Sequence, residues 1–273
     1  MSKSIGEIVV LPSSRSVFLT RYTPSSVDAH NTNPVPILFI HGLNATHVAW
    51  VNILPFLRAR TCITFDLPGH GRSPSFPVPT ATTLAEDARD VLTHSNARSA
   101  DVVAHSGGCI VALALASSFP DAVRTLILLA PPSLPIPREA MLGNAQALRE
   151  KGPTIVAGIL VGWLGQRARA DASKVSLLEA ETCAQDGAGV ASVVEALAGF
   201  DWVPSEDDAR KIRRAVVMWG TQDPVASGEA AARLAAMLGG TAQTLETGHF
   251  MMLEDPQAVG EALQKILDTE SEA

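Results

Sequence analysis

The 273-residue sequence contains few aromatic side chains: Phe, Trp and Tyr make up 5% of it, and Tyr22 is its single tyrosine. Cysteine is also scarce, with three residues at Cys62, Cys109 and Cys183. Because these cysteines are odd in number, far apart and free of any CxxC motif, they exclude a disulfide framework and predict buried free thiols in a reducing compartment. The sequence shows no Cys/His spacing typical of a metal site, so we expect no bound metal.

Basic residues are outnumbered, with 21 Lys and Arg against 28 Asp and Glu, a formal net charge of -7. Without a basic block to neutralise phosphates or anionic lipids, neither a nucleic acid nor a membrane is an expected partner. The longest apolar runs, 109–116 and 154–164, are well short of the roughly 20 residues that span a bilayer. The start lacks the pattern of a secretory signal, so we expect a cytoplasmic protein. The 47% of hydrophobic residues is ample for a globular core.

Short apolar runs alternate with longer helical stretches, as in a sheet of parallel strands joined by crossover helices. Residues 5–10 and 16–22 flank the turn residues LPSS and predict an opening antiparallel hairpin. Six further strands are predicted, most of them apolar on both faces, as strands covered by helices on each side should be. They are 36–40, 61–65, 101–104, 123–129, 215–219 and 241–245.

Two helix starts can be predicted from their capping residues. Thr83 followed by Glu86 predicts a capping box, and Asp255 before Pro256 predicts an N-cap. Between about 133 and 205 the pattern contains helix-like runs and no strand, so we expect an all-helical insertion. The predicted domains are therefore a core formed by 1–132 and 206–273 and a helical cap formed by 133–205.

The strongest chemical signal is the sequence AHSGG, which follows a predicted strand and opens a predicted helix. A serine at such a turn has its hydroxyl raised above the sheet, and the positions two before and two after must be small. Ala104 and Gly108 meet that requirement. Ser106 is therefore predicted to be a nucleophile, although an idle serine in a glycine-rich turn would produce the same pattern.

A serine nucleophile needs a neighbouring base, and the base needs an orienting carboxylate. Asp223 follows one predicted strand and His249 follows the next. Because parallel strands place their C-terminal ends at one edge of the sheet, these side chains should converge on Ser106. A turn cap for Asp223 and a loop histidine for His249 are the bland alternatives. Two backbone amides, those of Leu43 and Gly107, are candidates for an oxyanion hole.

Other polar residues near these motifs have structural interpretations. His41 comes directly after a strand and before a glycine, so we predict that it shapes the turn. Asp66 and Arg72 are predicted to form a charge pair that fixes their loop.

Taken together, HGLN, FDLPGHGRS, AHSGG, GTQDPV and GHFMMLEDP resemble the α/β-hydrolase superfamily in their order, over nearly the whole chain. The resemblance implies an eight-stranded, mostly parallel sheet with a helical cap inserted after the sixth strand. It also implies Ser106 as nucleophile, Asp223 as acid, His249 as base, and the amides of Leu43 and Gly107 as oxyanion hole. A serine at the elbow, where dehalogenases and epoxide hydrolases of this superfamily use aspartate, argues against those two chemistries.

The sequence contains no phosphate-binding or dinucleotide-binding motif, and we expect catalysis without a cofactor. The predicted activity is hydrolysis of a carboxylic ester, lactone or thioester of a hydrophobic small molecule through an acyl-enzyme on Ser106. Carbon-carbon bond hydrolysis or lyase chemistry with the same triad, and a non-catalytic binding module, are alternatives. Aliphatic and methionine side chains should line the pocket with few aromatics, and its predicted residues are Asn44, Trp163, Phe250 and Met251. These patterns do not specify an oligomeric state.

Overall fold

The computed structural model describes residues 2–3, 6–24, 35–200 and 212–268. Its strands, in chain order, are β1 (Ser2–Lys3), β2 (Glu7–Val10), β3 (Ser16–Thr23), β4 (Ile37–Ile40), β5 (Cys62–Phe65), β6 (Ala100–His105), β7 (Val123–Leu129), β8 (Ala215–Gly220) and β9 (Thr241–Leu245).

The α-helices are α1 (Ala81–His94), α2 (Gly107–Ser118), α3 (Arg138–Lys151), α4 (Thr154–Val161), α5 (Gln166–Arg169), α6 (Ala172–Cys183), α7 (Gly187–Ala198), α8 (Gly228–Met237), α9 (Met251–Glu254) and α10 (Pro256–Asp268). Short 3-10 helices span His47–Trp50, Leu54–Leu57 and Pro120–Ala122.

All strands belong to one sheet in the order β1-β3-β5-β4-β6-β7-β8-β9, with β2 also paired to β3. The pairs from β5 to β9 are parallel, while β3 runs antiparallel to β1, β2 and β5. The opening hairpin and the six further strands are confirmed. The two-residue β1 is an addition that is too short to show any hydrophobic period.

The sheet has a hydrophobic core on each face because successive side chains of a strand point to opposite sides. In β4, Leu38 and Ile40 belong to the core that contains α1 and α2. Ile37 and Phe39 belong to the opposite core, which contains α10. All four are fully buried, which explains why this strand is a continuous apolar run.

Five helices, α3 to α7, lie between β7 and β8, and the described residues of this stretch contain no strand. The predicted absence of strands is therefore confirmed for 130–200 and 212–214. The division into a core and a separate cap stays a prediction, and its boundary at 205/206 lies outside the described residues. We call 138–198 the helical segment. Within the described residues, no helix is both long enough and apolar enough to cross a membrane.

Two predictions about local structure are wrong. The capping box of α1 is formed by Thr80, whose hydroxyl accepts from the amide of Thr83, while the Thr83 hydroxyl accepts from the amide of Thr80. The N-cap of this helix therefore lies three residues before the predicted one. Cys62 and Cys109 are buried as expected, but Cys183 is exposed near the end of α6. By contrast, Asp255 caps α10 as predicted, accepting from the amide of Ala258 at 2.9 Å.

Candidate active site

Ser106 occupies the sharp turn between β6 and α2. Its backbone angles, φ 50° and ψ −125°, are in a region that non-glycine residues rarely adopt. Space beside the turn is limited, because a Cβ at Gly108 would lie 2.4 Å from the carbonyl oxygen of His41. The strain and the close approach of these two segments place the serine hydroxyl above the sheet edge.

Three side chains from three strand ends form one hydrogen-bonded chain. His249 Nε2 lies 2.8 Å from Ser106 Oγ, and His249 Nδ1 lies 2.8 Å from Asp223 Oδ2. The second carboxylate oxygen of Asp223 accepts from the amides of Val225 at 2.7 Å and Ala226 at 3.1 Å. Burial favours the neutral acid, but these hydrogen bonds, with that from His249 the strongest, hold the pKa of Asp223 below its ordinary value. The carboxylate is therefore ionised at neutral pH.

The amides of Leu43 and Gly107 lie on two segments that touch beside Ser106. A Cβ at Gly42 would lie 3.0 Å from Ser106 Cβ, and one at Gly107 would lie 2.8 Å from Leu43 Cγ. Within the described part of the chain neither amide donates to a protein acceptor. Two unused donors beside a serine hydroxyl form an arrangement able to bind a developing negative charge.

His41 fixes the orientation of the Leu43 amide. The amide of Leu67 donates to His41 Nε2 at 2.9 Å, so Nδ1 carries the proton and donates to the carbonyl of Gly42 at 2.7 Å. In a trans peptide the C=O and the next N–H point in opposite directions, so this bond turns the Leu43 N–H the other way. Burial lowers the pKa of His41 and favours its neutral form.

His105, the residue before the serine, holds the backbone of residues 246–250, which we call the histidine loop. Its Nε2 lies 2.9 Å from the carbonyl oxygen of His249, and the two imidazole rings are 5.1 Å apart. Burial, with a smaller contribution from His249, lowers the pKa of His105 to about 3. The ring is therefore neutral and donates this bond throughout the neutral pH range. The AHSGG motif requires small residues only at positions 104 and 108, so the sequence did not indicate this role for His105.

Glu254 is a second residue that sequence reasoning missed. One of its carboxylate oxygens accepts from the amides of Gly248 at 2.7 Å and Gly165 at 2.9 Å, and the other accepts from Phe250 at 3.1 Å. Next to it, the amide of His249 donates to the carbonyl of Trp163 at 2.9 Å. The histidine loop is thus bonded to the helical segment. Glu254 lies within the GHFMMLEDP motif, but the sequence does not distinguish a partly buried glutamate that bonds to backbone amides from a solvated one.

A cavity of about 230 Å³ is lined in part by Asn44, His105 and Phe250, the sequence neighbours of Leu43, Ser106 and His249. Ser106 and His249 themselves are not among its described lining residues. Most of its lining is aliphatic, with one methionine and one phenylalanine, as the composition suggested. The lining residues are Asn44, Ala45, Val48, Ala49, Val51, Asn52, His105, Leu177, Leu178, Glu181, Phe250, Met252 and Leu253.

Of the predicted pocket residues, Asn44 and Phe250 line this cavity. The other two predicted pocket residues lie outside this cavity, and their place in the substrate pocket stays a prediction. Trp163 is not among the described lining residues; its ring packs edge-on against His249 at 5.2 Å. Met251 is completely buried in the core that contains α10, and its neighbour Met252 lines the cavity instead, because consecutive helical residues point about 100° apart.

The predicted pair of Asp66 and Arg72 is also different in the structure. The Asp66 carboxylate accepts from the backbone amide of Arg72 at 3.0 Å and from the amide of His47 at 2.6 Å. The Arg72 guanidinium lies over the ring of Phe18 at 4.1 Å instead. The carboxylate therefore fixes the loop as expected, but through backbone amides. In the part of the chain that the structure describes, no group of His, Cys, Asp or Glu side chains could hold a metal ion.

The region of the chain that contains this arrangement matches a known protein family. The model of the Alpha/beta hydrolase family matches residues 37–262, which include all three residues of the hydrogen-bonded chain. The chain belongs to the alpha/beta hydrolase family. The fold and the family predicted from the sequence motifs are thereby confirmed.

Curated relatives match parts of their own length. The chain is 35% identical to probable lysophospholipase BODYGUARD 3 of Arabidopsis thaliana over 147 residues, half of this chain and 28% of that protein. It is 29% identical over 247 residues to the dihydrolipoyllysine-residue acetyltransferase component of the acetoin cleaving system of Cupriavidus necator, covering 85% of this alpha/beta hydrolase and 63% of that protein. The chain thus spans less than two thirds of either relative.

Solved structures show the same fold over nearly the whole chain. A thermophilic esterase from Thermogutta terrifontis superposes with a TM-score of 0.85 at 19% identity, covering 97% of this chain and 99% of that one. The enol-lactonase from Burkholderia xenovorans superposes with a TM-score of 0.83 at 20% identity, covering 96% and 100%. At these identities the likeness concerns the fold of this alpha/beta hydrolase.

Proposed function

We propose that this protein is a cofactor-independent serine hydrolase of carboxylic esters, lactones or thioesters of hydrophobic small molecules. The observation that carries the proposal is the continuous chain of 2.8 Å contacts from Ser106 through His249 to Asp223. A serine hydroxyl is a weak nucleophile until a neighbouring base accepts its proton, and this geometry supplies the base and its orienting carboxylate.

In the proposed reaction, Ser106 Oγ attacks the acyl carbonyl carbon while its proton passes to His249 Nε2. The carbonyl π bond breaks, and the resulting oxyanion accepts hydrogen bonds from the amides of Leu43 and Gly107. Collapse of this intermediate breaks the bond to the leaving oxygen or sulfur, which takes the proton from His249. Water, deprotonated by the same imidazole, then attacks the acyl-enzyme, and Ser106 regains its proton as the acid leaves.

The adjoining cavity supports a hydrophobic substrate. Its walls are mainly aliphatic, and such a surface favours an apolar chain over a sugar or a phosphate group. The names of one curated relative, probable lysophospholipase, and of two structural neighbours, esterase and enol-lactonase, agree with chemistry at an ester bond.

The helical segment is proposed to act as the cap of this site. Trp163 packs against the ring of His249, and Leu178 and Glu181 of α6 form one wall of the cavity. The three free cysteines support a cytoplasmic location, where thiols stay reduced. Cell fractionation tests that location.

Fluorophosphonate labelling followed by peptide mass spectrometry tests the nucleophile. We expect one modified site, Ser106, in the wild type, and no labelling of Ser106→Ala. Ser118→Ala is the matched control, since this exposed serine lies at the other end of α2. Labelling that persists in Ser106→Ala contradicts the assignment.

Turnover of p-nitrophenyl acetate and butyrate tests the reaction. We expect His249→Ala to reduce kcat by a factor of about 1,000 or more, as for other members of a serine triad. Equal rates for this variant and the wild type would instead favour a binding protein that retains the fold.

A further inference from the structure

The cavity of about 230 Å³ has an inner end and a mouth. Asn44, His105 and Phe250 are buried, and each adjoins in sequence a residue of the proposed site. Val48 and Leu177, with 40% and 46% of their surface exposed, mark the opposite end, where the cavity meets solvent. In the proposed reaction, a substrate chain bound at Ser106 passes these three residues and runs along the aliphatic wall toward this mouth.

Glu181 contributes a carboxylate to that wall. It lies on α6 one turn beyond Leu177 and Leu178, on the face that lines the cavity. It is half-buried, and one of its oxygens accepts from the hydroxyl of Thr46 at 3.1 Å. Among the described residues no cationic side chain pairs with it.

The described lining of the cavity carries negative charge and no positive charge. His105 is neutral at physiological pH because burial lowers its pKa to about 3, which leaves Glu181 as the single charged side chain on the described lining. Asn44 also lines the cavity; it is 7% exposed, and its buried Oδ1 has no hydrogen-bond partner in the described residues. A wall of this kind attracts a cation or a hydrogen-bond donor and repels a carboxylate.

We propose that Glu181 is a specificity-determining residue that selects esters whose apolar chain carries a positively charged ammonium group. This inference rests on the proposed hydrolase function. A partly exposed cation–carboxylate contact is stronger than a surface ion pair and weaker than a buried one, so we expect a selectivity of about ten-fold.

Isosteric substrate pairs test this proposal, because trimethylammonium and tert-butyl groups share their shape and differ in charge. One pair is acetylcholine and 3,3-dimethylbutyl acetate, which places the group on the alcohol. The second set comprises p-nitrophenyl esters whose butanoyl chain ends in trimethylammonium, tert-butyl or a carboxylate. In at least one of the two series, we expect the wild type to prefer the ammonium ester to the tert-butyl ester about ten-fold in kcat/KM. Within the p-nitrophenyl series, the carboxylate ester should be hydrolysed most slowly.

Glu181→Gln should remove this preference, since the amide retains the shape and an acceptor for Thr46 but not the charge. In this variant, the ratio of kcat/KM for the ammonium ester to kcat/KM for the tert-butyl ester should fall to about one. The matched control is Glu179→Gln, an exposed glutamate of the same helix that lies outside the described cavity lining. A wild type indifferent to charge in both series, or a preference that survives in Glu181→Gln, overturns the proposal.

Binding separates this proposal from the proposed reaction. Calorimetric titration of Ser106→Ala with phenyltrimethylammonium requires no turnover, and we expect affinity to fall about ten-fold in Ser106→Ala/Glu181→Gln. If p-nitrophenyl acetate is not hydrolysed but this difference is found, the hydrolase assignment fails and the cation site stands. If esters are hydrolysed but the titrations agree, the cation site fails alone.

Discussion

Replacing His41 by phenylalanine tests whether the orientation of one peptide group supports catalysis. The substitution keeps a ring of similar size in a fully buried position but removes both ring nitrogens. The carbonyl of Gly42 then loses its 2.7 Å bond and keeps the longer one from the amide of Ala45 at 3.3 Å. The Leu43 N–H, on the other side of the same peptide, is consequently less firmly aimed at the oxyanion.

The expected size of the effect follows from the bonds lost. Complete removal of an oxyanion donor costs about 100-fold to 1,000-fold in kcat. Because the Ala45 bond still restrains the Gly42 carbonyl, His41→Phe should cost only the orienting contribution, about 1 to 1.5 kcal/mol, or roughly ten-fold in kcat. Leaving the amide of Leu67 without its acceptor should also reduce the free energy of unfolding by about 1 to 3 kcal/mol.

Two measurements separate the catalytic effect from the loss of stability. Steady-state kinetics should show the decrease in kcat with KM nearly unchanged, since the oxyanion forms only after binding. Urea denaturation reports the unfolding free energy. His70→Phe is the matched control: its ring lies 5.2 Å from that of His41, is also buried, and bonds to the carbonyl of Pro68 instead of Gly42.

His70→Phe should therefore retain wild-type kcat. A folded His41→Phe protein with unchanged kcat would refute the peptide-orientation argument, and so would an equal decrease of kcat in both variants.

Three other predictions concern His70, Glu254 and the three cysteines. Burial lowers the pKa of His70 to about 3, so below about pH 6.5 the unfolded chain binds a proton that the folded chain does not. Between pH 7 and pH 5 the wild type should lose about 2 kcal/mol more unfolding free energy than His70→Phe in urea denaturation; equal losses would contradict this. Glu254→Gln turns an amide N–H donor toward backbone N–H donors. This variant should lower kcat about ten-fold and the unfolding free energy by about 1 to 3 kcal/mol. Unchanged kinetics would show that the position of the histidine loop does not depend on the Glu254 carboxylate. In a thiol titration with Ellman's reagent, exposed Cys183 should react in the folded protein, whereas Cys62 and Cys109 should react only after unfolding. Burial raises the pKa of Cys62 to about 12 and also raises that of Cys109. Reaction of all three thiols in the folded protein would disprove the burial of these two.

The strands were predictable because a strand that is buried on both faces is a continuous apolar run in the sequence. The run ILFI in β4 is an example, since each of its residues has to be apolar to fill one core or the other. The positions of Ser106, Asp223 and His249 followed from the same logic, because each comes directly after a predicted strand and parallel strands end at one edge.

Contacts made by long side chains across the fold could not be read in this way. Arg72 follows Asp66 by six residues, and the charge pattern favoured an ion pair, but the guanidinium stacks on Phe18 from a distant strand. Thr80 and Thr83 cap each other through hydroxyls, which the search for a carboxylate three residues after a threonine does not detect. Trp163 was expected in the pocket, yet its position depends on how the helical segment docks, which local sequence does not encode.

The bond from the His249 amide to the Trp163 carbonyl limits where the helical segment of this protein can be exchanged for that of another protein. A helical segment taken from another member of the family would bring new cavity walls, but it would also have to supply a carbonyl oxygen where Trp163 now offers one and an amide where Gly165 meets Glu254. Chimeras joined outside 163–165 keep these backbone groups and should keep His249, the proposed base, in place. Chimeras joined within 163–165 should change specificity and displace the proposed base together, so the two properties can be recombined only at selected junctions.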